Sequence, residues 1–223
     1  MIKAEHISMR YFRKTGTANY FYAVQPTDLS IQPGELAVLM GRSGSGKTTL
    51  LNMLSGLLKP TEGTVRMDDL DLYSLDDRAL SHLRGTKIAV VPQGRSAIDT
   101  LTVLENVLLP ARLCACPLPV EAAVKHLEQL GIAHLKNARP PELSGGELRR
   151  MSIARALSQG PDILFADEPT SDLDDENTFL VLSMLRAFAH EEKKAVFVVT
   201  HENDARQYAD RLYGMDGGIL TEK

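Results

Sequence analysis

Residues 35–48 read E-L-A-V-L-M-G-R-S-G-S-G-K-T, and this stretch decides the fold. Glu35–Met40 is a short apolar run that stops at a glycine turn, the pattern of a buried strand. Residues 41–48 fit the spacing G-x-x-x-x-G-K-[ST]. Lys47–Leu57 follows as a helix, with Leu50, Leu51, Leu54 and Leu58 on one side. A strand, a glycine-rich loop and a helix in that order form a phosphate cradle. Glycines let backbone N–H groups turn inward, and the helix N-terminus adds the positive end of its dipole. Lys47 is placed to reach the β- and γ-phosphates of a nucleotide, and the Thr48 hydroxyl to ligate Mg²⁺. The candidate phosphate-binding set is Gly41, Arg42, Ser43, Gly44, Ser45, Gly46, Lys47, Thr48 and Thr49.

Outward from this unit, strand-like and helix-like segments alternate. Thr64–Met67, Lys87–Val91, Ile163–Ala166 and Ala195–Thr200 read as short strands. Val103–Leu113, Val120–Leu130, Glu147–Ser158 and Asp174–His190 read as helices, with Pro117 and Pro119 punctuating the gap between the first two. Alternation of this kind predicts an α/β fold whose mostly parallel sheet is covered on both faces. From about Gly94 to Leu157 no strand is predicted, so that stretch reads as a helical insertion in the α/β core. Repeats and low-complexity tracts are absent.

Two further motifs narrow the chemistry. Residues 163–168 read I-L-F-A-D-E, an apolar strand ending in two acids. Beside a phosphate loop, Asp167 is the candidate to hold Mg²⁺ through water and Glu168 to polarise an attacking water. Residues 143–147 read L-S-G-G-E at the opening of a helix. Ser144, Gly145 and Gly146 there make a second anion site. Ser-Gly-Gly before a helix also reads as a simple N-cap, a reading the order and spacing of the motifs argue against. One triphosphate has little use for two such sites. If the second faces the γ-phosphate held by another copy, nucleotide joins a dimer.

The 223 residues include 43% hydrophobic ones, enough for a sizeable core. The net charge of −4 argues against a general nucleic-acid binder, and no nucleic-acid partner is expected. Cys114 and Cys116, the only cysteines, are poorly spaced to bond each other and fit a reducing setting. The most apolar runs are a few residues long, where a spanning helix needs about 20. Any membrane action then falls to another chain. His6, His82, His126, His134 and His190 show no metal spacing. Arg149 and Arg150 read as surface or interface charges, and Glu191–Lys194 as a solvated helix end.

The ordered series of motifs resembles the ABC nucleotide-binding domain over nearly the whole chain. L-S-G-G-E looks like the ABC signature, Gln93 after V-V-P like the Q-loop glutamine, and S-D-L-D at 171–174 like the D-loop. His201 after A-V-F-V-V-T looks like the switch histidine, and Tyr11 is the best match to the aromatic that stacks on adenine, with Phe12, Tyr20, Phe21 and Tyr22 as nearby rivals. The resemblance implies a P-loop NTPase core with a mostly parallel sheet, a small antiparallel N-terminal β subdomain and a helical signature subdomain at about 94–157, all in one domain spanning 1–223. It implies ATP and Mg²⁺ as ligands. Lys47, Gln93, Glu168 and His201 would be catalytic. Thr48, Gln93 and Asp167 would hold the metal, and Tyr11, the loop 41–49, Ser144–Gly146 and Asp174 the nucleotide. It further implies a dimer closed by ATP, integral membrane permease subunits as partners, and a cytoplasmic place on the inner face of the membrane. Substrate would then be recognised by the permease.

Within that family the likeness is to the macrolide-exporter, lipoprotein-release and bacitracin-resistance ATPases, carried by D-T-L-T-V-L-E-N-V-L-L-P at 99–110 and by Glu147. Export or mechanical work across the membrane is what this implies. Three features depart from the group: Gly94 after Gln93, Asp172 in the D-loop, and Leu148 and Arg149 in place of glutamines. The competing readings are a cytosolic ABC ATPase of translation or DNA repair, and a soluble assembly scaffold or non-transporting regulator of a membrane complex.

Overall fold

The computed structural model describes residues 1–12, 20–115, 118–171 and 173–223, so Cys116 and Asp172 lie outside the described residues. Its centre is a six-stranded sheet in the order β10-β9-β3-β8-β7-β6. The strands are β3 (Leu36–Gly41), β6 (Ile88–Val91), β7 (Ile163–Asp167), β8 (Ala195–Thr200), β9 (Arg211–Asp216) and β10 (Ile219–Glu222). All neighbouring pairs are parallel except β9 with β10.

Because the sheet is covered on both faces, β3, β7 and β8 run apolar until Asp167 and Thr200 end the last two, the pattern of buried parallel strands. Their side chains still alternate between two cores. Ala37, Leu39, Phe165 and Phe197 point to one side. Val38, Met40, Leu164, Ala166 and Val198 point to the other. Phe165 and Phe197 are partners in register and meet edge to face with centroids 6.1 Å apart.

The first core fills the space beneath a second, antiparallel sheet in the order β2-β1-β4-β5. It comprises β1 (Ile2–Phe12), β2 (Tyr20–Ile31), β4 (Glu62–Met67) and β5 (Leu70–Asp71). Helix α1 (Lys47–Leu54) contributes Leu50, Leu51, Met53 and Leu54 to this core. It stops three residues before the expected Leu57: Ser55 caps it, Gly56 turns to φ +74°, and Leu57 is exposed.

The second core is roofed by α3 (Val103–Leu113), α4 (Val120–Gln129), α5 (Gly145–Ser158) and α6 (Asp175–Glu191). No strand occurs between β6 and β7 among the described residues. Both α3 and α5 begin with capping boxes, Thr102 with Glu105 and Ser144 with Glu147. Helix α2 (Asp77–Thr86) was not foreseen from sequence. It is capped by Asp76 and buries only Leu80, too little to leave an apolar stripe.

Candidate nucleotide site

Every parallel strand delivers its C-terminal end to one side of the sheet, the place where ligands bind in open α/β folds. There, a cleft of about 720 Å³ is lined by residues 42–49, Gln93, Glu168 and His201, with Tyr11, Phe21, Tyr22, Ala23, Gly217 and Gly218.

The loop between β3 and α1 is fixed by close packing. A Cβ at Gly41 would lie 2.3 Å from the Met215 carbonyl oxygen of β9. One at Gly46 would lie 2.1 Å from the Ala23 carbonyl oxygen of β2, and Gly46 also holds φ +107°. The end of the loop is pinned by Gly218 N–H donating to the Ser45 carbonyl at 3.0 Å. Lys47, only 6% exposed, donates from Nζ to the carbonyls of Gly41 (2.7 Å) and Arg42 (3.1 Å). An ammonium carries three donors, so the third remains for a phosphate oxygen.

The acidic wall comes from β7. The Thr48 hydroxyl donates to Asp167 Oδ2 at 2.7 Å, while Asp167 Oδ1 is buried with no partner. Burial pushes the Asp167 carboxyl above its ordinary range, against the pull of the Thr48 hydrogen bond and the Lys47 and Arg149 charges. Two hard oxygens side by side, one an orphan in a buried setting, suit a divalent cation such as Mg²⁺, which takes one or two protein oxygens and completes its octahedron with phosphate and water. Among the described residues no cluster of three or more His, Cys, Asp or Glu forms a self-sufficient metal site.

Glu168 sits just past the strand at φ +50°, a conformation uncommon for a side chain of its type and frequent at functional turns. Its N–H donates to the Val199 carbonyl at 2.8 Å. Its Oε2 accepts from the Thr200 hydroxyl (3.0 Å) and the His201 N–H (3.3 Å), and Oε1 lies 2.9 Å from His201 Nδ1 and 4.0 Å from Lys47 Nζ. The carboxylate is thereby aimed into the cleft between the lysine and the histidine.

At the other end, β1 and β2 set Tyr11 opposite Phe21 in register, with ring centroids 5.9 Å apart and planes tilted by 35°. Arg10 lies over the Tyr22 ring at 5.8 Å. Phe12 and Tyr20 pair with each other edge to face and do not line the cleft. Phe21, Tyr22, Gly217 and Gly218 thus join the site from the structure. The glycine pair closes the β9–β10 hairpin, a turn signal readable in sequence.

The remaining candidates lie elsewhere. Ser144 is the N-cap of α5, giving its hydroxyl to Glu147 Oε2 at 2.8 Å and accepting from Glu147 N–H at 3.3 Å. The cap and the exposed glycine turn coexist, so the simple N-cap reading describes this chain too. Asp174 is exposed and caps α6 by accepting from Asn177 N–H at 2.8 Å. Neither Asp174 nor Ser144–Gly146 lines the cleft.

Arg149 is buried within the chain, where a surface or interface charge was expected. It is 8% exposed, and its guanidinium donates to the carbonyl of Pro92 (2.8 Å) and to the Ser171 hydroxyl (3.0 Å). Arg150 is also half-buried, bound to Asn177 Oδ1 at 2.5 Å and to the Leu130 carbonyl at 3.4 Å.

Known proteins share this fold. Residues 24–171 match the family described as ABC transporter. MJ0796 of Methanocaldococcus jannaschii, named an uncharacterized ABC transporter ATP-binding protein, is 38% identical over an alignment covering 100% of this chain and 97% of its own length. A dimeric structure of MJ0796, described as an ABC transporter cassette, superposes with a TM-score of 0.91 at 35% identity and covers 100% of this chain and 98% of its own. A second MJ0796 dimer, a post-hydrolysis state bound to ADP and Pi, matches at TM-score 0.91 and 34% identity with the same coverage.

Proposed function

The chain belongs to the ABC transporter ATP-binding family and is an ATPase of that type, and we propose that it hydrolyses ATP in the cleft above β3, β7 and β8 to drive a membrane permease. The observation that carries this reading is the convergence of Lys47, the Thr48–Asp167 pair and the Glu168–His201 pair around one phosphate loop.

Adenine stacks on Tyr11 and Phe21. The triphosphate runs along the N–H groups of 42–48, with Lys47 Nζ on its β- and γ-oxygens. Thr48, Asp167 and Gln93 would hold Mg²⁺, which would supply positive charge against the phosphate oxygens. Glu168 takes a proton from the attacking water through the lone pairs its Thr200 and His201 bonds leave free. His201 Nδ1 fixes the orientation of that carboxylate, and the ring, which is largely exposed, extends toward the γ-phosphate.

Ser144–Gly146 do not line this cleft in the same copy. In the proposed assembly they close over the γ-phosphate of a second copy, with Asp174 at the same interface. The whole chain is then one catalytic domain with residues 94–157 as its helical subdomain. No helix among the described residues is long and apolar enough to cross a membrane. In the proposed role the chain docks as a peripheral subunit on the cytoplasmic face of permease subunits, acting in export or mechanical work as in the exporter-like group.

Phosphate release by the purified chain tests the catalytic part. The wild type should hydrolyse Mg·ATP. Lys47→Ala should lose at least tenfold in kcat/KM with an unchanged circular dichroism spectrum, because each charged hydrogen bond contributes about 1.5–3 kcal/mol. A wild-type rate in Lys47→Ala rules the site out.

A further inference from the structure

We propose that Arg149 is a positioning residue of the ATPase cycle, whose guanidinium fastens the start of α5 both to the residue before Gln93 and to the turn that carries Glu168. The inference rests on the ATPase reading and deepens it. It starts from a side chain that the cleft itself does not use.

The connections are specific. One arm of the guanidinium donates to the Pro92 carbonyl, so it holds the backbone next to Gln93. The other donates to the Ser171 hydroxyl. That hydroxyl in turn donates to the Glu168 carbonyl at 3.0 Å, and Ser171 N–H reaches the same oxygen at 3.3 Å. Glu168 is the residue at φ +50°, so its carbonyl direction and its carboxylate direction are set by one turn. A single buried cation on α5 therefore touches the supports of both the proposed metal-sensing glutamine and the proposed base.

The segment beyond Gln93 is held by the same helix. Arg155 of α5, half-buried, donates to the Ser96 carbonyl (2.8 Å) and hydroxyl (2.5 Å). Asn106 of α3 then grips the far end, accepting from Ile98 N–H and donating to the Ile98 and Leu101 carbonyls. Between the fixed points at Pro92 and Ser96 lies Gly94, at φ +97° with nothing within 4 Å of its would-be Cβ. Gln93 can swing there while its flanks follow α5. Arg149 also borders a cavity of about 140 Å³ shared with Gly94, Gly145 and Ser171, which gives the helix start room to shift against both partners.

A guanidinium suits this task where a shorter side chain does not. Its planar fork makes the two hydrogen bonds from two separate nitrogens in fixed directions, whereas the donors of a lysine or a glutamine all sit on one nitrogen. Burying such a charge is costly, which makes its retention for mere filling a poor explanation.

Steady-state ATPase kinetics on Arg149→Gln, Arg149→Lys, Ser171→Ala and the double variant Arg149→Gln/Ser171→Ala test the proposal. Both Arg149 variants should lower kcat about tenfold while KM for ATP stays within twofold, because no phosphate contact is removed. Ser171→Ala should lower kcat several-fold. The double variant should be no slower than Arg149→Gln alone, since the two side chains act through one connection. Losses that multiply, a raised KM at unchanged kcat, or wild-type kcat in a folded Arg149→Gln would overturn the role. Should Arg149→Gln fail to fold, Ser171→Ala decides by itself: its kcat must fall with KM unchanged. A wild-type chain that does not hydrolyse ATP defeats the ATPase reading as well, whereas an active wild type matched by its variants defeats only the role of Arg149.

Discussion

Replacing Tyr11 by alanine should weaken ATP binding without slowing chemistry. Tyr11 is 40% exposed and leans on Phe21 across the β1–β2 ladder, both rings lining the cleft. Base stacking on an aromatic ring contributes about 1–3 kcal/mol per base by alanine substitution. The lower end applies here, because the ring is half in solvent and Phe21 remains to cover one side of the base. A loss of about 1 kcal/mol is roughly a fivefold rise in KM. Stacking acts equally on ground and transition states, so kcat should stay within twofold. The assay is steady-state phosphate release across an ATP titration for Tyr11→Ala, Phe21→Ala, Tyr22→Ala and the Tyr11→Ala/Phe21→Ala pair. The pair should exceed the product of the singles, because each ring substitutes for the other. An unchanged KM in Tyr11→Ala beside a raised one in Tyr22→Ala refutes the placement of the base. A fall in kcat at constant KM refutes the idea that the ring only binds.

Two other perturbations follow from packing and burial. Gly46→Ala meets the Ala23 carbonyl at 2.1 Å in a backbone conformation alanine resists, a strain on the order of 2 kcal/mol or more; thermal denaturation should show the Tm lowered by at least about 4 °C, and a parent-like Tm with parent-like KM would show that the loop is looser than drawn. His126 is half-buried beside the Ser158 hydroxyl at 2.9 Å, and the partial loss of its water lowers its pKa below the ordinary histidine value. The unfolded chain therefore binds a proton that the folded chain resists, and the stability this gives is present above pH about 6.5 and lost as pH falls below it. Urea titrations from pH 7.5 to 5 should show His126→Gln losing less stability than wild type over that window; parallel curves would remove His126 from the account.

How far the sequence carried varies by element and for physical reasons. The β3–loop–α1 unit was legible because a phosphate loop needs glycines and a lysine at fixed offsets, and Gly41 and Gly46 prove to be places where packing leaves no room for a side chain. The buried strands β7 and β8 were legible as continuous apolar runs. Helix α2 was not, since its single buried leucine leaves no period. Strands β9 and β10 were missed because both are short and of mixed polarity, and β10 lies at the sheet edge, so neither carries much pattern of its own. Arg149 was misjudged for a related reason: α5 packs on several sides at once and buries Met151, Ser152, Ile153 and Ala154 in succession, so no clean polar face marks which arginines are outside. The choice of Tyr11 among five aromatics rested on likeness alone. The cross-strand register, which sets Tyr11 opposite Phe21 beside the cleft and pairs Phe12 with Tyr20 beyond its lining, is a long-range fact that composition does not encode.

The central claim is that two copies share each ATP, and Glu168→Gln tests it most directly. The substitution keeps the Thr200 and His201 contacts within reach of an amide oxygen while removing the base and one negative charge beside the γ-phosphate. Light scattering on purified Glu168→Gln, with and without Mg·ATP, reads the mass. The account predicts a monomer without nucleotide and a stable dimer with two ATP per pair, abolished by adding Ser144→Arg although ATP still binds the monomer. By linkage, the dimer should also hold ATP more tightly than the monomer. A Glu168→Gln chain that binds Mg·ATP yet remains monomeric at high concentration, alone and with the proposed permease, would contradict it.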